Sequence, residues 1–225
     1  MEEPSALPPR LRQAIRFAVL SVNRPIATIR CHVAARQATR PIALEVGGIT
    51  PRDGWFLVNI NARAPHYMDG TKHWLFEDGS LSHVYADNMI EHVSLEGARR
   101  FFSEAFRCLR PGGRIRIATP DIRAHVELYC SAGDVVRSDL AQVYRDLGVL
   151  IEHKVDMVRT PVGEFGHHRG YVYDFEALDD ELQRAGFLPA VRQPLQVSDD
   201  PMLCGLEQRP EHGAMQMAVE AVRPG

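Results

Sequence analysis

From residue 41 onward the chain alternates short apolar runs with longer amphipathic ones, and this alternation restricts the fold more than any other feature. "PIALEV", "WFLVNI", "LSHVYADN" and "RIRIATP" are brief, apolar and bounded by turn residues, as buried strands are. Ser94 stands as an N-cap before "LEGARRFFSEAFRCLR", where Leu95, Phe101, Phe102, Ala105, Phe106 and Leu109 recur at helical spacing. Pro111-Gly112-Gly113 stops that helix, and in the strand that follows Ile115 and Ile117 fall on one face, Arg114 and Arg116 on the other. Residues 121–160 carry mainly helical periodicity, and 160–172 read as a glycine-broken loop. "DFEALDDELQRAGF" has a full helix signature: Asp174 as N-cap, acids in the first turn, Arg184 in the last and Gly186 beyond it. Two strands near 188–197 and 214–222 close the chain as an antiparallel pair. The pattern predicts an α/β fold with a mostly parallel sheet covered on both faces.

The first 40 residues form a separate helical segment. Leu11, Ile15, Val19 and Val22 recur at helical spacing, which predicts an amphipathic helix ending near Asn23-Arg24-Pro25, with a second helix around 27–38. "AIRFAVLSV" is too short, and too close to Arg12 and Arg16, to cross a bilayer. The start of the chain lacks a basic stretch followed by an apolar one, which argues against a secretory signal. A net charge of −3 and a pI near 6.4 offer no electrostatic reason to bind nucleic acid or an anionic membrane. Cys31, Cys108, Cys130 and Cys204 make no C-x-x-C pair, so buried free thiols in a reducing, cytoplasmic setting are expected. Apolar positions on the N-terminal helix allow a homodimer.

In an open α/β sheet, ligands bind at the carboxyl ends of the strands near the point where strand order reverses. Gly47 and Gly48 follow the first strand and would let backbone approach a ligand closely. A dinucleotide is disfavoured, because the G-x-G-x-x-G fingerprint is absent and Pro51 stands where a phosphate-binding helix would be under way. Asn59, at the end of the second strand, stands where Rossmann-like sites place a ribose-binding carboxylate.

Three blocks, "LEVGGITPRDGWFLVNI", "LFEDGSLSHVYADNMIEHV" and "FFSEAFRCLRPGGRIRIATPD", follow one another at a spacing that resembles class I S-adenosylmethionine-dependent methyltransferases of the small type 11-like group. The likeness spans about residues 42–122, and 167–222 more loosely. It implies a Rossmann-like fold over 41–225, with a seven-stranded, mostly parallel sheet whose last strand is reversed. It also implies that S-adenosyl-L-methionine lies across the first two strands. Glu45, Gly47 and Gly48 would then line the methionine and ribose side, Asn59 the ribose hydroxyls and Asp69 the adenine, while Asp87 and Asn88 close the site. Two departures stand out: the third glycine of the usual loop is missing, and Asn59 replaces the acid.

A sulfonium already makes its methyl electrophilic, so a hydroxyl acceptor mainly needs alignment, exclusion of water and a destination for its proton. His92, His167 and His168 are the candidates for that destination. Two histidines with Asp121, Glu164 or Asp174 could alternatively hold a divalent metal such as Mg2+. Tyr171 and Tyr173 offer rings for a sugar, the arginines at 99, 100, 107 and 110 read as a wet helix face, and "GLEQR" at 205–209 could contact substrate. The resulting expectation is an O-methyltransferase acting on a small-molecule or glycan hydroxyl, such as that of a methylmannose-type polysaccharide precursor. The alternative is a non-catalytic methyltransferase-like binding protein.

Overall fold

The computed structural model describes residues 9–61, 64–207 and 215–225. In chain order its elements are α1 (Pro9–Gln37), β1 (Ile42–Val46), β2 (Trp55–Val58), β3 (Leu81–Asp87), α2 (Leu95–Cys108), β4 (Leu109–Pro120), α3 (Ile122–Cys130), α4 (Asp139–Asp146), α5 (Asp156–Gly163), α6 (Phe175–Arg184), β5 (Val191–Gln193) and β6 (Gln216–Val222). They form one sheet in the order β2-β1-β3-β4-β6-β5. The first four strands run parallel, and β6 is antiparallel to both β4 and β5.

Among the described residues the sheet has six strands, one fewer than the resemblance implied. Between β2 and β3 the described residues make an isolated bridge, Asn59 to Tyr67, in place of a further strand. The rest of that segment spends its polar groups locally: Asp69 accepts from Thr71, the Trp74 indole donates to the Gly70 carbonyl, and the Trp74 amide donates to Glu104 of α2. The crossover from β1 to β2 is equally abbreviated. Residues 47–54 contain no helix, although parallel neighbours usually need a connection of about a dozen residues.

The two sheet faces are covered by different means. On one, Leu44, Val84, Ile115 and Val219 pack beneath Phe101 and Phe102 of α2, Leu178 of α6 and Cys31 of α1. On the other, sheet register places Glu45, Tyr85, Arg116 and Glu220 in a row. The irregular segment 194–207 covers part of this row, with Leu203 and Leu206 packed on Tyr85. The fully buried Arg116 guanidinium holds the segment down by donating to Glu207, Glu220 and the Val197 and Pro194 carbonyls.

The N-terminal segment is one continuous helix rather than two. Pro25 lies inside it, at a cost of about 3 kcal/mol for an interior proline. Tertiary contacts offset that cost: Asn23 donates to the Ala64 carbonyl, Arg24 stacks on Tyr67, and the Tyr67 amide donates to the Ala27 carbonyl. Ala27, Cys31 and Ala35 face the domain, whereas Ile15, Val19, Val22, Ile26, Ile29 and Val33 lie exposed. Among the described residues no helix is long and apolar enough to cross a membrane. All four cysteines are free, but only Cys31 and Cys108 are buried; Cys130 and Cys204 are exposed, contrary to expectation.

The expected caps form. Ser94 accepts from Gly97, Asp174 accepts from Ala177, and Gly186 takes the left-handed conformation just past α6. α2 ends at Cys108, earlier than Pro111 suggests, because Leu109 already pairs with Leu81 of β3. The 121–160 stretch becomes three short helices, and Val135, Ala141, Tyr144, Val149, Ile151 and Met157 form a small core of their own.

Candidate functional site

The strand order reverses at β1, whose neighbours are β2 on one side and β3 on the other, so the crevice at the carboxyl ends of β1 and β3 is where a ligand belongs. Two turns meet there. Gly47 has φ of +90°, and a Cβ on it would stand 2.8 Å from Met89 Cγ, in the turn after β3. A Cβ on Gly48 would stand 2.3 Å from Glu45 Oε1 and 2.7 Å from Leu57 Cδ1. A side chain at Gly47 would be strained by its φ as well as crowded, and one at Gly48 would have to displace Glu45 and Leu57, before any ligand is considered. Beside them lies a cavity of about 240 Å³ lined by Gly48, Ile49, Leu57, Asn59, Asn61 and His66, among others.

Gly48 and Asn59 of the predicted cofactor residues line this cavity, and most polar atoms of the predicted set are engaged within the protein. Glu45 is buried and paired with Arg52 at 3.0 Å. The Asn59 amide donates to the Gly47 carbonyl at 2.8 Å and the Gly48 carbonyl at 2.7 Å, while its oxygen accepts from the Asn61 amide. That arrangement explains the missing acid: a carboxylate at 59 would present oxygens to two carbonyl oxygens, whereas an amide clasps the turn. Asp69 caps its own turn through Thr71. Asp87 ends β3, and Asn88, with φ of +47°, donates its backbone N–H to the Ala118 carbonyl of β4.

Directly after β3, a 3-10 turn (Ile90–His92) meets a second one (His167–Arg169). Gly170 permits the contact, because a Cβ there would fall 1.8 Å from the Glu91 carbonyl oxygen. The result is a cluster that places Glu91, His92 and His167 side by side. The His92 and His167 rings meet edge to face at 4.7 Å, and His167 Nε2 lies 4.0 Å from Glu91 Oε1. His167 is buried, and its Nδ1 lies 2.9 Å from the Pro161 carbonyl; this assigns the proton to Nδ1 and leaves a lone pair on Nε2. Glu91 is fully buried; its Oε2 accepts from Thr119 at 3.1 Å, and among the described residues its Oε1 has no hydrogen-bond partner. Burial pushes the Glu91 carboxyl up to about 7. Burial, then the neighbouring His167, lowers His92.

His92 and His167 are thus brought together, while His168 is exposed beside them. Glu91 was not singled out in the sequence, although it is the acid of the "EH" pair and its signal lay in that adjacency. The carboxylates suggested for a metal are used elsewhere: Asp121 caps α3 and pairs with Arg192, Glu164 pairs with Arg159, and Asp174 caps α6. Tyr173 is fully buried, so it cannot offer a ring face to a sugar, whereas Tyr171 stays accessible. Arg99 and Arg107 are not simply a wet face, since they bind Glu181 and Glu104 with bidentate geometry. Of the "GLEQR" stretch, Glu207 is the buried partner of Arg116, and Gln208 and Arg209 lie outside the described residues.

The sheet order with its antiparallel β6 defines the Rossmann-like α/β fold of the class I methyltransferases. Residues 58–117, about a quarter of the chain, match the family described as a methyltransferase domain. No curated protein matches the sequence. Among solved structures, the chain is similar to a phosphoethanolamine N-methyltransferase from Haemonchus contortus, at 14% identity and a TM-score of 0.43 over 90% of this chain and 53% of that one. It is also similar to an S-adenosylmethionine-dependent methyltransferase from Thermotoga maritima, at 15% identity and a TM-score of 0.45 over 92% and 97% of the two chains. An O-methyltransferase family protein from Burkholderia thailandensis is similar at 12% identity and a TM-score of 0.46, over 96% and 60%. The chain spans about half the length of the Haemonchus enzyme.

Proposed function

We propose that the chain is an S-adenosyl-L-methionine-dependent methyltransferase that delivers a methyl group to a hydroxyl of a small molecule or glycan. The observation that carries this reading is the meeting, at the strand-order reversal, of the Gly47-Gly48 turn with the turn that bears Glu91 and His92. The crevice suits a cofactor without phosphate, because residues 47–54 supply no helix N-terminus to hold one. Gly48 and Asn59 would flank the nucleoside in the 240 Å³ cavity, with Asp87 and Asn88 on the β3 side. When bound, the cofactor supplies a methyl already activated by the sulfonium.

The chain's own residues then handle the acceptor. His167 Nε2 presents a lone pair at the cluster, held in that tautomer by the Pro161 carbonyl, and takes up the hydroxyl proton. His92, exposed next to it, forms the open wall through which the acceptor arrives. Tyr171 adds an accessible aromatic face suited to a sugar ring. A second copy belongs to the same reading: Ile15, Val19, Val22, Ile26, Ile29 and Val33 alternate at four- and three-residue steps along the exposed face of α1, the spacing of a helix-pairing seam.

Calorimetry with S-adenosylhomocysteine tests the activity. Heat at micromolar strength is expected. No heat and no thermal shift would leave the non-catalytic binding protein as the better account.

A further inference from the structure

We propose that Glu91, His92 and His167 form a binding site for one divalent transition-metal ion of the zinc class. Their ligand atoms all lie within 4.8 Å of one another. Ligand atoms around a tetrahedral zinc at about 2.0–2.1 Å stand about 3.4 Å apart, so a shift of about 1 Å per side chain completes the geometry. Three features mark the cluster as a cation site rather than a chance grouping.

First, Glu91 Oε1 is buried without a hydrogen-bond partner among the described residues, while Oε2 is anchored by Thr119. A buried carboxylate oxygen left alone is costly, and it points toward the imidazole of His167 at 4.0 Å. Second, the facing atom, Nε2, also carries a lone pair, because Nδ1 donates its hydrogen to Pro161. Two acceptors facing each other call for something positive between them. A ring nitrogen held by a backbone carbonyl on its far side is also the usual orientation of a metal-bound histidine. Third, His92 closes the set from the exposed side, so positions on the ion remain open toward the crevice. Two imidazoles with one carboxylate favour zinc and its neighbours over magnesium, which prefers an all-oxygen shell. The divalent ion suggested by the sequence is therefore retained, with a different carboxylate and a different metal class.

The role of the ion rests on the methyltransferase reading: with the ion bound, His167 Nε2 is a ligand in place of a proton acceptor, and an open metal position would orient an acceptor hydroxyl and make it more acidic, its proton leaving to water. Its binding does not. The test is calorimetry of the full chain, stripped with chelator, titrated with Zn2+ alone. One ion per chain is expected, with affinity at least tenfold weaker in Glu91→Gln, His167→Ala and His92→Ala. His73→Ala, a substitution at an exposed histidine outside the cluster, should bind as the parent does. His92 is exposed, so its variant keeps the experiment decisive if the buried substitutions do not fold. Absence of stoichiometric binding, or binding that His92→Ala leaves unchanged, overturns the proposal; it would mean that a shared proton joins Glu91 to His167. Titrating the same stripped protein with S-adenosylhomocysteine reports separately on the methyltransferase reading.

Discussion

Acidification should loosen α3 from α5 through one buried histidine, His125. Its Nδ1 lies 3.0 Å from the Met157 carbonyl and its Nε2 lies 3.3 Å from the Tyr144 hydroxyl. A neutral ring satisfies both contacts, donating to the carbonyl and accepting from the phenol. Burial is the main reason that its pKa falls from 6.5 to about 4. The unfolded chain, with an ordinary histidine, takes up the proton first as the pH drops. Stability from His125 is thus fully present above pH 6.5 and is lost as the pH falls toward about 4. At about 1.4 kcal/mol per pH unit the loss amounts to about 3 kcal/mol. For a chain of this size that corresponds to a fall in Tm of about 6–12 °C. The assay is urea denaturation of the parent and His125→Phe across that pH range. The variant starts lower by about 1–3 kcal/mol, because the Met157 carbonyl and Tyr144 hydroxyl lose their partner. It should then lack the acid-dependent loss, so the two stability curves converge. Parallel curves would refute the reasoning. The site would feel the change as well, since α5 carries Pro161, whose carbonyl orients His167.

Asn59→Asp restores the acid usual in such folds, yet it should destabilise the protein by about 1–3 kcal/mol and weaken S-adenosylhomocysteine binding, because the turn carbonyls lose two donors; a thermal melt and calorimetry check both. Gly170→Ala would place a methyl 1.8 Å from the Glu91 carbonyl, so a drop in Tm and loss of Zn2+ binding are expected together. Arg116→Met leaves Glu207 buried without its cation and Glu220 with only the more distant Arg114, and should cost about 3–5 kcal/mol in urea denaturation. Ile29→Glu, on the exposed face of α1, should keep the mass measured by light scattering at that of a monomer where the proposed pairing of α1 gives the parent a dimer's mass, with Tm falling only by the share that pairing contributes.

Local chemistry carried the framework of this protein. Alternating apolar runs announced β1 through β4, and Ser94, Asp174 and Gly186 cap or end their helices as their side chains demand. These features depend on neighbours a few residues away, so they can be read directly from order along the chain. The proline at 25 misled for the complementary reason: its local cost is met by Tyr67 and Ala64, some forty residues distant in sequence.

The candidate site was legible as residue types and not as a constellation. "EH" and "HH" are visible in the sequence, but only folding brings Glu91 within reach of His167, and only Gly170 lets the two turns touch. Asn59 looked like a weakened ribose contact until the turn carbonyls it holds came into view. Sequence order decides which strands and helices form, because backbone geometry answers to adjacent residues. Which buried carboxylate faces which imidazole depends on chain segments meeting in space, and that was decided by tertiary packing alone.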